Sequence, residues 1–101
     1  MTKLFIDDMR RPPDTSWDLV RGVSEAIVYV STNGCPDEIS FDYCLAGGKN
    51  VMPFIEWLIH QDMQNKGFIP EHFTFDSHSS SNYGTELIKT VLGGYIKSRK
   101  D

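Results

Sequence analysis

Residues 3–8 read KLFIDD, and residues 9–13 continue with MRRPP. An apolar run that stops at two carboxylates is typical of a buried strand that ends at the edge of a sheet. The two prolines cannot continue the strand, and they force an extended loop. This segment therefore predicts a first strand over residues 3–7, with Asp7 and Asp8 at its carboxyl end.

The rest of the chain alternates between strand and helix patterns. The strand candidates are three short runs, residues 17–21 (WDLVR), 38–43 (EISFDY) and 72–77 (HFTFDS). The helix candidates are residues 24–33, the stretch between Asn50 and Gly67, and residues 82–98. Residues 24–33 also have strand propensity, but a helix there gives the crossover that parallel strands need. Gly93 and Gly94 weaken the last helix and would permit close packing on a sheet.

This order of elements predicts the fold class. Four strands alternating with helices are typical of a small three-layer α/β sandwich with a mostly parallel four-stranded sheet. The right-handed connections of such a sheet bring the carboxyl ends of parallel strands to one edge. Ligands bind at that edge in open sheets of this kind.

Composition excludes several classes of protein. The chain has 101 residues, which is the size of one domain, and its formal net charge is −4. That charge argues against binding to duplex DNA. The apolar runs are too short to span a membrane, and from the first residues, MTKLFIDD, we expect no signal peptide. Two cysteines make no disulfide framework, so we expect reduced thiols and a cytoplasmic protein.

Polar residues end three of the predicted strands. Asp7 and Asp8 end the first, Asp42 ends the third, and Asp76 to Ser79 end the fourth. Clustered carboxylates repel one another, so a divalent cation such as Mg²⁺, an arginine or a bound proton must compensate them. His78 lies beside hydroxyl groups, where it could transfer a proton. The alternative is that each aspartate only makes local hydrogen bonds in a loop.

A polar segment precedes the last predicted helix. Ser79, Ser81 and Asn82 could form an anion site with the backbone N–H groups of this segment. The alternative is simple capping of the helix by Ser81 or Asn82. One arrangement can serve both purposes.

Two motifs resemble a known family. Residues 7–12, DDMRRP, match a DDxRxP motif, and His78-Ser79 with Gly84 matches an HSxxxxG motif. Together they resemble the cyclic-phosphate processing receiver domain, a relative of the response-regulator receivers. The chain departs from that family at Tyr43 and Cys44, where the family has His and Asp, and at Ser81, where it has Asn.

The resemblance implies a single receiver-like domain over residues 1–101, with a reduced, flavodoxin-like topology. It implies a metal-assisted phosphoesterase that acts on cyclic phosphates of nucleotides or RNA ends, with Mg²⁺ or Mn²⁺ as the cofactor. The implied metal ligands are Asp7, Asp8 and Asp42. The catalytic residues would be His78, Asp8 and Asp42, and the substrate-binding residues would be Arg10, Ser79, Ser81 and Asn82.

Two alternatives follow from the same residues. Because Tyr43 and Cys44 replace a histidine and a carboxylate, the domain could be a catalytically degenerate module that binds a phosphorylated ligand or a protein partner. Alternatively, Asp42 could accept a phosphoryl group, as in a signalling receiver. The late lysine of those receivers has no match in this sequence, so this interpretation ranks last.

Overall fold

The computed structural model describes residues 2–99 and contains a sheet of four parallel strands in this range. The strands are β1 (Lys3–Ile6), β2 (Trp17–Val20), β3 (Glu38–Phe41) and β6 (Thr74–Ser77), in the spatial order β2-β1-β3-β6. A small antiparallel hairpin pairs β4 (Cys44–Leu45) with β5 (Lys49–Asn50). The mostly parallel four-stranded sheet and the receiver-like α/β fold predicted from the sequence are confirmed.

The helices follow the predicted order. They are α1 (Val23–Asn33), α2 (Met52–Gln64), α3 (Asn82–Ile88) and α4 (Gly94–Arg99), and a π-helical segment, Lys89–Gly93, joins the last two. At the start of α2 the Asn50 side chain accepts the Met52 N–H at 2.9 Å, as expected of a capping residue. The helix ends at Gln64, three residues before the predicted stop at Gly67. None of the helices within residues 2–99 is long and apolar enough to cross a membrane.

All of the helices pack on one face of the sheet. Leu4 and Ile6 of β1 are fully buried in the main core, and Phe5 points to the opposite face because side chains alternate along a strand. The helical residues in the same core are Ala26, Val30, Phe54, Ile55, Leu58, Ile88 and Leu92. The predicted three-layer sandwich is therefore corrected to two layers of regular structure.

The direction of the connections explains this arrangement. The crossovers β2-α1-β3 and β3-α2-β6 run the same way across the sheet, so their right-handedness puts α1 and α2 on one face. The connection from β1 to β2, residues 7–16, runs the other way and has no helix. Because this connection must also be right-handed, residues 7–16 lie over the opposite face of the sheet.

Aromatic rings cover the centre of the face that has no helix. Phe5 is only 6% exposed there. The Trp17 ring meets it edge-on, with ring centroids 5.9 Å apart, and the His78 ring stacks on it at 4.2 Å. His78, a candidate functional residue from the sequence, therefore lies on the face of the sheet that has no helix.

A buried carboxylate fixes the carboxyl-terminal helix to the rest of the fold. Asp62 on α2 accepts hydrogen bonds from the Ile69 N–H at 2.8 Å, the Tyr95 hydroxyl at 2.7 Å and the Arg99 guanidinium at 3.0 Å. Burial raises the pKa of Asp62, but these donors outweigh it and hold the pKa below its usual range. The ionised carboxylate therefore ties α4 to α2.

The packing that Gly93 and Gly94 would permit does not need a glycine at either position. A Cβ atom at Gly93 would meet the Phe75 ring at 3.6 Å, which is ordinary van der Waals contact. A Cβ atom at Gly94 would meet nothing within 4 Å, and its backbone is helical, with φ −62° and ψ −43°. Neither glycine is required by the packing of the helix on the sheet.

We expect Gly94→Ala to raise the free energy of unfolding by roughly 0.5–1 kcal/mol, because alanine loses less backbone entropy in a helix. The matched control is Gly34→Ala. A Cβ atom there also meets nothing within 4 Å, but φ is +85° and ψ is 174°. That conformation is nearly restricted to glycine, so Gly34→Ala should lose roughly 1 kcal/mol or more. Urea unfolding measures both, and a destabilised Gly94→Ala protein would contradict the prediction.

Candidate functional site

Three polar residues each follow directly after a parallel strand. Asp7 follows β1, Asp42 follows β3 and His78 follows β6. Each donates its backbone N–H to the last residue of the neighbouring strand, at 3.1, 3.0 and 2.9 Å. The acceptors, in the same order, are the carbonyl oxygens of Val20, Ile6 and Phe41. The ladder thus continues one residue beyond the strands and fixes the backbone of all three residues.

This continuation brings the three side chains together. Asp7 is two residues after Phe5, and Asp42 is two residues after Ser40, so both emerge on the face without helices. One ligand atom each from Asp7, Asp42 and His78 lies within 4.8 Å of the other two. The expected convergence of the strand ends is confirmed for these residues.

The His78 ring lies across the sheet. Its Nε2 atom is 2.9 Å from Oδ2 of Asp7, and its Nδ1 atom is 2.7 Å from Oγ of Ser40. The ring plane is within 8° of the plane of Phe5. From β6 the ring therefore passes over β3 and reaches β1. Both ring nitrogens are hydrogen-bonded to protein groups.

Asp7 is held as a buried carboxylate. It is 1% exposed, and its Oδ1 atom accepts the N–H groups of Met9 at 2.8 Å and Arg10 at 2.9 Å. Burial raises the pKa of Asp7, but these two donors and the His78 ring outweigh it, so the net pKa lies below its usual range. Asp7 therefore stays ionised.

Asp42 has the opposite electrostatic balance. It is 9% exposed, and burial followed by the nearby charge of Asp7 raises its pKa. His78, Arg10 and the Ser79 hydroxyl act against this rise without cancelling it. A positive charge placed between the two carboxylates would oppose both the burial and the repulsion, and would therefore lower the pKa of Asp42.

Arg10 brings positive charge to the rim of the site. Its Nη1 atom donates to the carbonyl oxygen of His78 at 2.8 Å, and the side chain is exposed. A guanidinium has five N–H donors, so others stay available for a phosphate. Arg21 holds the same loop from beneath by donating to the carbonyl oxygens of Asp7 at 3.2 Å and Arg10 at 3.0 Å.

Two aspartates of the predicted edge lie outside the cluster. Asp8 is half-buried beside Asp7 and is not part of the three-residue group. Asp76 is exposed within β6, opposite Ser40 in the register, and accepts the N–H of Ser77. The structure therefore puts His78, rather than Asp8, beside Asp7 and Asp42.

The serine segment caps its helix. The Ser81 hydroxyl accepts the Gly84 N–H at 3.0 Å, and the Ser79 hydroxyl accepts the Ser81 N–H at 3.1 Å. Of the backbone donors of the predicted anion site, the Ser81 N–H is therefore paired, and the Ser79 N–H donates to the Ser77 hydroxyl at 3.4 Å. Asn82 is exposed at the first turn of α3, and its side chain accepts no hydrogen bond from the described residues.

The donor set of the cluster fits a divalent cation. It offers two carboxylates and one imidazole, whose Nδ1 atom is held by Ser40. Such a second hydrogen bond is the usual way in which a metal-binding histidine is oriented. A nitrogen donor beside two oxygens suits Mn²⁺ or Zn²⁺ better than Mg²⁺, which prefers oxygen ligands alone.

Comparison with known families decides the classification. Residues 2–94 match the family model for the cyclic-phosphate processing receiver domain. The chain belongs to this family. No curated protein and no solved structure matches the chain.

The glycine of the receiver motif has a clear packing role. Gly84 is buried, and a Cβ atom there would lie 2.5 Å from Cβ of Tyr43. Tyr43 thus packs against α3, on the side of Asp42 away from the cluster, and Cys44 is exposed in the small hairpin. The departures from the family pattern at Tyr43 and Cys44 therefore lie outside the three-residue cluster of this receiver domain.

Ser40 and Phe5 are the site residues that the sequence did not indicate. Ser40 is 8% exposed and holds Nδ1 of His78, and Phe5 supports the flat face of the same ring. The available signal was the small polar residue in EISFDY, at a position where its neighbours Ile39 and Phe41 are apolar. That signal becomes informative only when the strand faces are known.

We expect Asp7→Asn and Asp42→Asn to change stability in opposite directions with pH, in metal-free buffer. Because the folded pKa of Asp7 lies below the unfolded value of about 3.9, its charge stabilises the fold above that pH. Asp7→Asn should therefore cost roughly 1–3 kcal/mol at pH 7, and this loss should shrink as the pH falls below about 4.

Asp42→Asn is the matched counterpart. In the wild type, the pKa of the Asp42 carboxyl is higher in the folded than in the unfolded protein. This carboxyl therefore stabilises the fold only at low pH, and the stabilisation is lost as the pH rises through the folded pKa. The variant should exceed the wild type in stability at pH 7 and converge with it in acid. Equal pH profiles for the two variants, measured by urea unfolding, would contradict this electrostatic assignment.

We expect Gly84→Ala to destabilise the domain by roughly 1–3 kcal/mol, because its Cβ atom would overlap Tyr43. In a Tyr43→Gly background the same substitution should cost much less, since both the Cβ atom and the ring of Tyr43 are then gone. A double-mutant cycle by thermal unfolding measures the difference. Additive losses would show that Tyr43 is not what requires the glycine.

Proposed function

We propose that this receiver domain hydrolyses a cyclic phosphate ester of a nucleotide or an RNA end, with a divalent cation held by Asp7, Asp42 and His78. The observation that carries the proposal is the cluster itself, whose ligand atoms lie within 4.8 Å of one another beside the Arg10 guanidinium. The family description, which names the processing of cyclic phosphates, supports the choice of substrate.

Charge balance supports a cation at this position. Burial and then the charge of Asp7 raise the pKa of Asp42, and an anionic substrate would add to the repulsion between the two carboxylates. A bound divalent ion would offset the charge on the phosphoryl oxygens and activate a water molecule. Because the donors include an imidazole, we favour Mn²⁺ over the Mg²⁺ that the aspartates alone suggest.

His78 is assigned to hold the cation rather than to transfer a proton to the substrate. Its nitrogens are engaged at 2.9 Å by Asp7 and at 2.7 Å by Ser40. Binding of a cation would replace the Nε2–H hydrogen bond to Asp7: the Nε2 proton would leave, Nδ1–H would donate to Ser40, and the Nε2 lone pair would face the cation. Ser40 acts through His78 and is a positioning residue.

The remaining roles fall to Arg10 and Asp8. Arg10 binds the phosphate through the guanidinium donors that the His78 carbonyl leaves available. In the reaction, the oxygen of a water molecule bonds to phosphorus, one ring P–O bond breaks, and the ring oxygen leaves as a hydroxyl group. Asp8, half-buried and next to Asp7 in the chain, is assigned to take the proton of the water and return it to the leaving oxygen.

The direct test is turnover of 2′,3′-cyclic nucleotides, and of short RNAs with the same terminal group, in Mn²⁺, in Mg²⁺ and in EDTA. We expect a phosphomonoester product with Mn²⁺ and none with EDTA. Asp42→Asn and His78→Ala should lose turnover and the stabilisation by Mn²⁺ together. Asp8→Asn should lose turnover but retain that stabilisation, which thermal unfolding measures.

Two further variants complete the design. Ser40→Ala should weaken Mn²⁺ affinity about 10- to 100-fold, as expected for the hydrogen-bond partner of a metal ligand. Asp76→Asn is the matched control, because this aspartate is exposed on β6 outside the cluster, and it should behave as the wild type. The proposal is wrong if no substrate of the panel is consumed and Mn²⁺ does not stabilise the protein.

A second candidate function is a non-catalytic domain that binds a phosphorylated ligand or a protein partner. One observation favours it: Tyr43 packs against Gly84 and Cys44 is exposed, at positions where the family has a histidine and a carboxylate. Isothermal calorimetry separates the two functions. Binding of a cyclic nucleotide without its consumption would favour the second candidate, and binding of neither metal nor nucleotide would leave only a protein partner.

A further inference from the structure

A short turn, residues 7–10, carries both the buried carboxylate and the guanidinium of the site. It begins at Asp7 and ends at Arg10. The Asp7 side chain closes the turn, because its Oδ1 atom accepts the N–H groups of Met9 at 2.8 Å and Arg10 at 2.9 Å. The residues that we assign to the cation and to the phosphate therefore lie on one piece of backbone, and the conformation of this turn sets their separation.

Arg21 holds the carbonyl groups of the same turn. Its Nη1 atom donates to the carbonyl oxygen of Asp7 at 3.2 Å and to that of Arg10 at 3.0 Å, so one guanidinium binds both ends of the turn. Arg21 directly follows β2, and its backbone N–H donates to the Glu25 carboxylate on α1 at 2.8 Å. The turn is thus fixed to the neighbouring strand and helix as well as to itself.

The contact with Arg21 matters more for Arg10 than for Asp7. Asp7 has a further anchor in the sheet, because its N–H donates to the carbonyl oxygen of Val20 at 3.1 Å. Arg10 lies three residues farther along the chain, and its side chain reaches the carbonyl oxygen of His78 at 2.8 Å. That reach requires the backbone of residue 10 to be in the correct place, and Arg21 holds its carbonyl oxygen there. Loss of Arg21 should therefore displace Arg10 and leave Asp7 in place.

We infer that Arg21 is a positioning residue of the site, which acts on phosphate binding through Arg10. This inference rests on the proposed function, since that function takes Arg10 as the phosphate-binding residue. Arg21 itself does not touch the substrate in this account. It preorganises the site, because a phosphate meets the Arg10 donors already in place instead of ordering them as it binds.

A double-mutant cycle on the full chain with Mn²⁺ tests this inference. The ligand is adenosine 3′-phosphate, a phosphomonoester that the proposed reaction does not consume. In calorimetry we expect Arg21→Met to weaken binding about 3- to 30-fold, and Arg10→Ala to weaken it at least as much. In the Arg10→Ala background, Arg21→Met should cause no further loss, because the residue through which it acts is gone.

Three further measurements separate positioning from a general structural role. With adenosine 2′,3′-cyclic phosphate, Arg21→Met should raise KM by the same factor and leave kcat nearly unchanged, as expected when uniform binding is lost. Stabilisation by Mn²⁺ in thermal unfolding should be retained, since Asp7 stays in the register of the sheet. Arg21→Lys, which keeps the charge on a shorter side chain, should recover part of the affinity.

Arg11→Met is the matched control, because it removes the same charge from the same loop but leaves both hydrogen bonds of Arg21, and it should bind as the wild type does. An equal loss in Arg11→Met overturns the inference. Losses that add in the double variant also overturn it, and would indicate direct contact with the ligand from the cavity of about 290 Å³ that Arg21 lines with Lys49. Both results leave the proposed function standing. Binding without turnover contradicts only the proposed reaction, and binding of neither Mn²⁺ nor ligand by the wild type overturns both.

Discussion

The site depends on one constraint, the register of the parallel sheet beyond the ends of its strands. Backbone hydrogen bonds hold Asp7, Asp42 and His78 one residue past β1, β3 and β6. Because side chains alternate along a strand, this shared register turns all three toward the face without helices. A slip of one residue in one strand would turn its site residue into the apolar core and separate the cluster.

The missing helical layer gives the histidine its position. A helix packed on the second face would occupy the space in which the His78 ring lies, stacked on Phe5 at 4.2 Å and bonded to Ser40 at 2.7 Å. The loop of residues 7–16 replaces that helix and carries Arg10, which donates to the His78 carbonyl. The positions of His78 and Arg10 at the site therefore depend on the absence of a helix from this face in the described residues.

The sequence predicted the four strands of the parallel sheet, their order along the chain and the convergence of Asp7, Asp42 and His78, because apolar runs ending in carboxylates are local signals; it did not predict the hairpin of β4 and β5. It did not predict which face each helix covers, since that depends on the direction of every crossover in the sheet. For the same reason it did not separate Asp7 from Asp8. Both follow β1 directly, and only the assembled sheet shows that Asp7, and not Asp8, joins Asp42 and His78 in the cluster.

The departures from the family pattern change the surroundings of the cluster rather than its members. Tyr43 points toward α3, where it requires a glycine at position 84 and supports Tyr83, and Cys44 lies in the hairpin. A histidine and a carboxylate at these positions would make that side of the edge polar and titratable. In this chain the same side is aromatic, so the charged chemistry is confined to the face of the sheet that carries Arg10 and His78.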